Sequence, residues 1–399
     1  MNGYCYSNCI LPEFQNTKIL EQRGNSSFTK TITNLGEFGY TSNFESNPNG
    51  CLLYDGNIEN VSDDLDENLS KTVDAIRSLT SQYSLIYVTD SHIVFCTDQF
   101  STKQLWYYYS PSNKKFFAST SRSVVIEHCP GAWLAEENKI YIIDKHDFSI
   151  NILKNTVWNF EQNISNYDKV FQAFENAIDK RHLAYKTTYT LSAGFDTGAI
   201  CSAANKMFMR DQMKILAKVG LEDKELLGAR AKIHRASVIK DVDPGAKNIA
   251  AQIYEDLPYV MINSATADSI ITFVQNHVLK EKNTILIFGI GGDQLYSDYM
   301  HPEEPGKFTK NSMWPEALET VFPYHNYGNA NVLRQVLRAD AICAWFGVNA
   351  QMPLLDRTLY QAWLNTTNKL KNTSYKDWMR CYMKELDYPF NERKTGMST

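Results

Sequence analysis

Short runs rich in Tyr, Val, Ile and Phe, interrupted by turn clusters such as Glu45-Ser46-Asn47-Pro48-Asn49-Gly50, fill the chain from about Gly39 to Ile143. That pattern predicts β-strands joined by tight loops. Ser84 to Val88, His92 to Thr97 and Leu105 to Tyr109 read as successive strands of an antiparallel sheet. After Trp158 the period changes. Val170, Phe171, Phe174, Ala177 and Ile178 fall at helical spacing, a strand runs from Thr187 to Leu191, and helical segments then alternate with apolar strand segments. Such alternation predicts an α/β architecture with a parallel sheet and helices on both faces. The expected division is 1–160 and 161–399, with the boundary near Phe160 to Asn163.

Length supports two units, because 399 residues exceed one average domain. Apolar residues at 43% and charged residues at 21% match ordinary soluble usage, and a net charge of -5 argues against non-specific nucleic-acid binding. The longest apolar runs, such as Ile285-Leu286-Ile287-Phe288, fall far short of the roughly 20 residues a membrane span needs. No basic, apolar leader opens the chain, so a soluble, cytoplasmic protein without membrane or nucleic-acid partners is expected. The 8 cysteines lack metal-site spacing and read as reduced, mostly buried thiols.

The strand through Leu191 enters Ser192-Ala193-Gly194-Phe195-Asp196-Thr197-Gly198, a small-residue turn followed by an apparent helix at Ala199-Ile200-Cys201. Small residues there let backbone N–H groups approach an anion, and the helix N-terminus adds partial positive charge. The hydroxyls of Ser192 and Thr197 can donate to phosphate oxygens. A carboxylate among them makes sense when a cation bridges it to the phosphates, which makes Asp196 a candidate Mg²⁺ ligand. A plain helix cap would look similar. A second strand, Thr284 to Phe288, runs into Gly289-Ile290-Gly291-Gly292-Asp293-Gln294, another close-approach turn carrying a carboxylate. Open α/β sheets bind ligands at such strand ends. Two of them on neighbouring strands are what a nucleotide with a bridging metal needs.

These segments resemble the Ser-Gly-Gly-x-Asp-Ser pyrophosphatase loop and the later Gly-x-Gly-x-Asp loop of the asparagine synthetase family. Leu216-Ala217-Lys218-Val219-Gly220 looks like that family's adenine-bordering strand, and Gly347-Val348-Asn349-Ala350-Gln351-Met352-Pro353-Leu354-Leu355-Asp356 resembles its Gly-Val-Glu-Ala-Arg-x-Pro-Phe-Leu-Asp signature. Arg393-Lys394-Thr395-Gly396 is similar to its lysine loop. In the first half, Leu20 to Asn25, Leu53 to Asn60 and Thr97-Asp98-Gln99-Phe100 resemble eroded glutaminase motifs. The resemblance implies a degenerate Ntn-hydrolase-like αββα sandwich over 1–160 and a doubly wound ATP-pyrophosphatase domain over 161–399. It also implies ATP and Mg²⁺ as cofactors. Leu191, Ser192, Ala193, Gly194, Phe195, Asp196, Thr197, Val219, Gly289 and Gly291 would hold nucleotide, Asp196 and Asp293 the metal, and Asp293 and Lys394 would be catalytic.

The departures from the family are as informative as the match. Its glutaminase uses a cysteine exposed by methionine removal, whose own α-amine is the base; here position 2 is Asn2, and Cys5 lies three residues further in. Asp55-Gly56-Asn57 stands for Asn-Gly-Glu. Ile290 replaces a residue able to accept a proton, Gln294 replaces Glu, and Asn349 and Gln351 replace a charged Glu and Arg. The expected function is an amide-forming synthetase that adenylates a small-molecule or peptide carboxylate and joins it to an amine or ammonia, with no glutaminase of its own. A homodimer or an ammonia-supplying partner protein stays open. The alternative is a catalytically silent scaffold or regulatory protein.

Overall fold

The structure is a computed structural model, and it describes residues 3–9, 20–21, 27–41, 44–47, 50–56, 65, 68–218, 223–239, 246, 249, 253, 265–277, 284–297, 314–320 and 332–391. Val219 and Lys394, both expected in the site, lie outside these residues, as do Arg23 and Asn57.

The first part is all antiparallel. Its strands are β1 (Tyr4–Ser7), β2 (Thr29–Thr33), β3 (Gly36–Tyr40), β4 (Phe44–Asn47), β5 (Gly50–Gly56), β6 (Tyr83–Val88), β7 (His92–Thr97), β8 (Trp106–Ser110), β9 (Lys115–Ser119), β10 (Trp133–Leu134), β11 (Lys139–Asp144) and β12 (Ile150–Lys154). They form one sheet in the order β10-β8-β9-β1-β3-β2 and another in the order β12-β11-β7-β6-β5-β4. β6 and β7 pair as the sequence predicts, from Ser84↔Thr97 to Val88↔Ile93. The segment after them differs: β8 pairs with β9 in the other sheet, so the chain changes sheets between Thr97 and Trp106.

Side-chain alternation explains why the two sheets stack. Tyr4, Tyr6, Phe116 and Ala118 of the first sheet pack against Leu53, Ile86, Phe95 and Tyr141 of the second, with Phe95 stacked on Tyr141 at 4.7 Å between ring centroids. The opposite residues of the second sheet, Tyr83, Leu85, Tyr87 and Val94, pack with Val73 and Ile76 of α1 (Leu69–Ser78). Strands buried on both faces carry continuous apolar runs, as seen in this sequence.

The helices that follow are α2 (Arg122–His128), α3 (Asp168–Asp179), α4 (Phe195–Met207), α5 (Lys224–His234), α6 (Ala265–His277), α7 (Gly292–Leu295), α8 (Val332–Trp345), α9 (Arg357–Leu364), α10 (Asn368–Lys371) and α11 (Asp377–Glu385). Between them run β13 (Thr187–Leu191), β14 (Met213–Lys218), β15 (Ser237–Ile239), β16 (Ile285–Ile287) and β17 (Asn349–Gln351), all parallel, in the order β15-β14-β13-β16-β17. The molecule is therefore α/β, with two antiparallel sheets and one parallel sheet.

The two parts share a core. Cys5, Trp106, Phe117 and Val125, on the outer side of the first sheet, pack with Ile271 of α6 and with Leu337 and Ile342 of α8. Lys103, fully buried, pairs with Asp340 at 3.1 Å and donates to the Asn349 Oδ1 and Ala350 carbonyl of β17. Arg181 donates to Asp356 and to Gln82, whose side-chain oxygen also accepts from the Met352 N–H. Removing one member of a buried pair such as Lys103–Asp340 costs about 3–5 kcal/mol, because the other charge is left buried without compensation. Among the described residues no helix is long and apolar enough to cross a membrane.

Candidate functional site

β13 is the strand from which the sheet grows both ways: the next two strands add on the β14 side, and the last two on the β16 side. Such a reversal of strand order, between the C-terminal ends of β13 and β16, is where open α/β sheets characteristically bind ligands. Both turns singled out in the sequence lie there, since Thr187 to Tyr189 pair with Ile285 to Ile287 in register.

Leu191 ends β13 in the core, and the chain turns through Ser192, Ala193 and Gly194 into α4. The turn is closed by its own hydroxyls. Ser192 Oγ lies 2.6 Å from Thr197 Oγ1, Thr197 Oγ1 accepts from the Ser192 N–H, and Ser192 Oγ accepts from the Gly194 N–H. Gly194 is the helix N-cap and offers no side chain to fold back over the first turn. Phe195 is buried, edge-on to Tyr375. From β16, Gly289 passes so close that a Cβ there would lie 3.0 Å from Asp196 Cβ, and Gly291 turns with a positive φ of 98°. A Cβ on Gly292 would fall 2.0 Å from Asp196 Oδ1. Glycine is what lets the second turn lie against the first.

The centre of the site is a lysine that the sequence motifs do not mark. Lys376 Nζ donates to Asp196 Oδ1 at 2.5 Å and pairs with Asp293 Oδ1 at 2.6 Å. The Tyr375 hydroxyl donates to the same Asp293 oxygen at 2.5 Å. Lys376 precedes α11 with φ 49°, a left-handed conformation uncommon for a side chain of this size. Burial alone would push its proton off, but Asp196 and Asp293 outweigh burial and hold its pKa above the ordinary lysine value. Burial, followed by Asp293 and Asp196, raises the Tyr375 pKa far above the usual range, so that hydroxyl stays a donor.

A second unmarked residue sets the shape of the first turn. Arg230, on α5 and wholly buried, donates through Nη1 to the carbonyls of Ser192 at 2.7 Å and Gly194 at 2.8 Å, and through Nε to the Pro389 carbonyl at 2.9 Å. In a trans peptide the C=O and the following N–H point oppositely, so these bonds turn the N–H groups of Ala193 and Phe195 away from Arg230. Gly198 makes room: a Cβ there would lie 2.6 Å from the guanidinium. Arg230 also lies over the Tyr388 ring, whose hydroxyl meets His234 Nε2 at 2.7 Å. Burial, then Arg210 and Arg230, lowers the His234 pKa to about 4.

The remaining motif residues serve as wiring. Asn349 Oδ1 accepts from Lys103 and Gln351, while Asp356 caps α9 through the N–H groups of Thr358 and Leu359 and takes Lys180 and Arg181 as counter-ions. Ile290 packs on the hydrophobic core. In the first part, Cys5 is buried in the middle of β1 between β3 and β9, and burial, then Glu37, pushes its thiol far above the ordinary range. Asp98, also buried, accepts from the N–H groups of Tyr83, Phe100 and Thr102 and from the Thr102 hydroxyl.

No protein-family model and no curated protein matches the chain. Among solved structures it is similar to an allosteric regulatory enzyme of purine biosynthesis, at 9% identity over 62% of this chain and 82% of that one, with a TM-score of 0.30. It is similar also to the glutamine phosphoribosylpyrophosphate amidotransferase of B. subtilis complexed with ADP and GMP, at 9% identity over 74% and 77%, with a TM-score of 0.29. Both neighbours are enzymes, and at these scores the likeness assigns neither a family nor an activity.

Proposed function

We propose that the chain is an ATP-dependent, amide-forming synthetase of the asparagine synthetase type. It would adenylate a carboxylate with release of pyrophosphate, pass the acyl group to an amine or ammonia, and have no glutaminase of its own. The observation that carries this reading is the convergence of Asp196, Asp293 and Lys376 where β13 and β16 part. Three charged groups gathered at these strand ends suit a polyphosphate with its cation better than they suit a structural tie.

The residues fit magnesium as this reading requires. Two carboxylates present oxygens to one point, and no group of three or more His, Cys, Asp or Glu gathers among the described residues. Mg²⁺ characteristically takes one or two carboxylates and completes its shell with phosphate and water. When bound, it would neutralise charge on the phosphates. The chain's own part is to hold the polyphosphate at the Ser192–Thr197 turn and to bring the Lys376 ammonium to its oxygens. Lys394, from the resemblance, would stabilise charge at the acyl centre.

The buried Cys5 thiol and the eroded motifs support the absence of glutamine cleavage. A catalytically silent scaffold is the second reading, favoured by Ile290, which cannot take the attacking amine's proton. The test screens carboxylates for substrate-dependent pyrophosphate release, with Mg-ATP affinity measured on Asp196→Asn and Asp293→Asn. The synthetase reading requires release with some carboxylate and weaker Mg-ATP binding in both variants. Unchanged affinity in both would mean the nucleotide site is misplaced.

A further inference from the structure

The oxygens that would bind the metal already hold a cation. Asp196 Oδ1 and Asp293 Oδ1 both lie within 2.6 Å of Lys376 Nζ. The lysine side chain is 2% exposed, against 20% and 32% for the two carboxylates, so the ammonium is seated beneath them and they stand between it and solvent. The carboxylates have little freedom to turn elsewhere. Asp196 is pressed against Gly292, and Asp293 is tethered by the Tyr375 hydroxyl on the same oxygen. A magnesium ion on these oxygens would stand about 2.0–2.1 Å from each. An ammonium already at hydrogen-bond distance from both oxygens occupies the position between them, and a second cation set beside it on the same oxygens would be repelled strongly in a partly buried site.

We propose that Lys376 is the resident counter-ion of this metal site. It holds Asp196 and Asp293 together in the nucleotide-free protein and keeps divalent cations off them. It yields the oxygens only when a polyphosphate arrives to accept its ammonium. The inference rests on reading these strand ends as a Mg-ATP site, and it adds an order of events: metal enters with nucleotide, never ahead of it. The exchange needs no loss of charge balance. The incoming phosphates bring negative charge for the ammonium as the metal brings positive charge for the carboxylates, so each partner leaves one counter-ion for another.

The test is equilibrium dialysis of Mn²⁺, as a magnesium probe, against the full chain, with and without an ATP analogue whose α,β bridge cannot be cleaved. The wild-type protein alone should retain almost no Mn²⁺ at concentrations where Lys376→Met and Lys376→Gln each retain one ion, a gain of at least about tenfold in affinity. Adding Asp196→Asn to Lys376→Met should abolish the gain, and the analogue should bring Mn²⁺ to the wild type. Tight Mn²⁺ retention by the wild type alone, lost in Asp196→Asn, overturns the inference and leaves the nucleotide reading standing. So does failure of both Lys376 variants, folded by circular dichroism, to gain a site while the wild type takes Mn²⁺ with the analogue. Mn²⁺ retained by no protein under any condition removes the nucleotide reading itself. Should neither variant fold, the wild-type comparison with and without analogue decides alone.

Discussion

Asp98 and Asp196 both lie just beyond the end of a strand, Asp98 in a loop and Asp196 in the first turn of α4, and both sit in segments that resemble motifs of one family, yet the fold treats them oppositely. Asp98 is buried and takes three backbone N–H groups and a hydroxyl; burial raises its pKa while those bonds pull against it. Its partners are fixed by β6 and by the loop itself, so it cannot serve a ligand without unmaking the sheet connection. Asp196 is part-exposed and faces the tip of a lysine, which can move on its stem without disturbing any strand. On the proposed reading, the difference separates a structural carboxylate from a binding one. What matters is whether the donors can leave, more than how many there are. The first part of the molecule has its polar groups locked in this way, and the second keeps a set that can exchange.

The largest effect is expected at the acyl-transfer step of the proposed reaction. Lys394→Ala should keep Mg-ATP affinity while lowering turnover by on the order of a hundredfold, the scale of losing one charge-stabilising donor, read from pyrophosphate-release kinetics. Full activity would mean that the lysine belongs to the tail alone. Next comes the support of the turn. Arg230→Met removes the guanidinium bonds to the Ser192 and Gly194 carbonyls, leaving Gly194 only the Gly198 N–H, and should weaken Mg-ATP binding by roughly tenfold with a stability loss of about 1–3 kcal/mol, seen by calorimetry and denaturant titration. Arg230→Lys, which cannot span both carbonyls and Pro389, should recover stability before it recovers affinity.

A milder probe uses pH. His234 has its folded pKa lowered to about 4 from 6.5, so its contribution to stability is complete above pH 6.5 and is lost as pH falls towards 4. The melting temperature should fall across that window, and His234→Gln should flatten the fall; an unchanged slope would remove His234 as the acid-sensitive anchor of Tyr388. The smallest effect is expected in the locked half. Cys5→Ala should leave pyrophosphate release within about twofold, since the position makes only core contacts. Neither protein should release glutamate from glutamine; release by the wild type would restore the chemistry that the buried thiol denies.

Much of this was legible in the sequence, and the gaps have physical causes. The change of period after Trp158 marks where antiparallel strands give way to α3 and the parallel sheet, and both small-residue turns stand at the ends of paired strands, β13 and β16. The strand expected from Leu105 forms at Trp106–Ser110 and pairs antiparallel, but in the other sheet, because successive strands show their period without showing which sheet they join. Two carboxylates at adjacent strand ends demanded a cation, and a metal was the expectation. The chain supplies Lys376 from 180 positions beyond Asp196. No local period or spacing carries that information. Arg230 was hidden for a similar reason: on α5 it looks like any helical arginine, and only the tight fit of its guanidinium over Gly198 shows where it points.

The shared core beneath the first sheet bears on how such a protein can change over generations. Ile271, Leu337 and Ile342 share one buried cluster with Cys5, Trp106, Phe117 and Val125. Deleting the antiparallel part would bare them to water and strip Asp340 of Lys103 in the same stroke. The antiparallel part is therefore not free to be discarded. It stays yoked to its neighbour as the wall against which α6 and α8 are built.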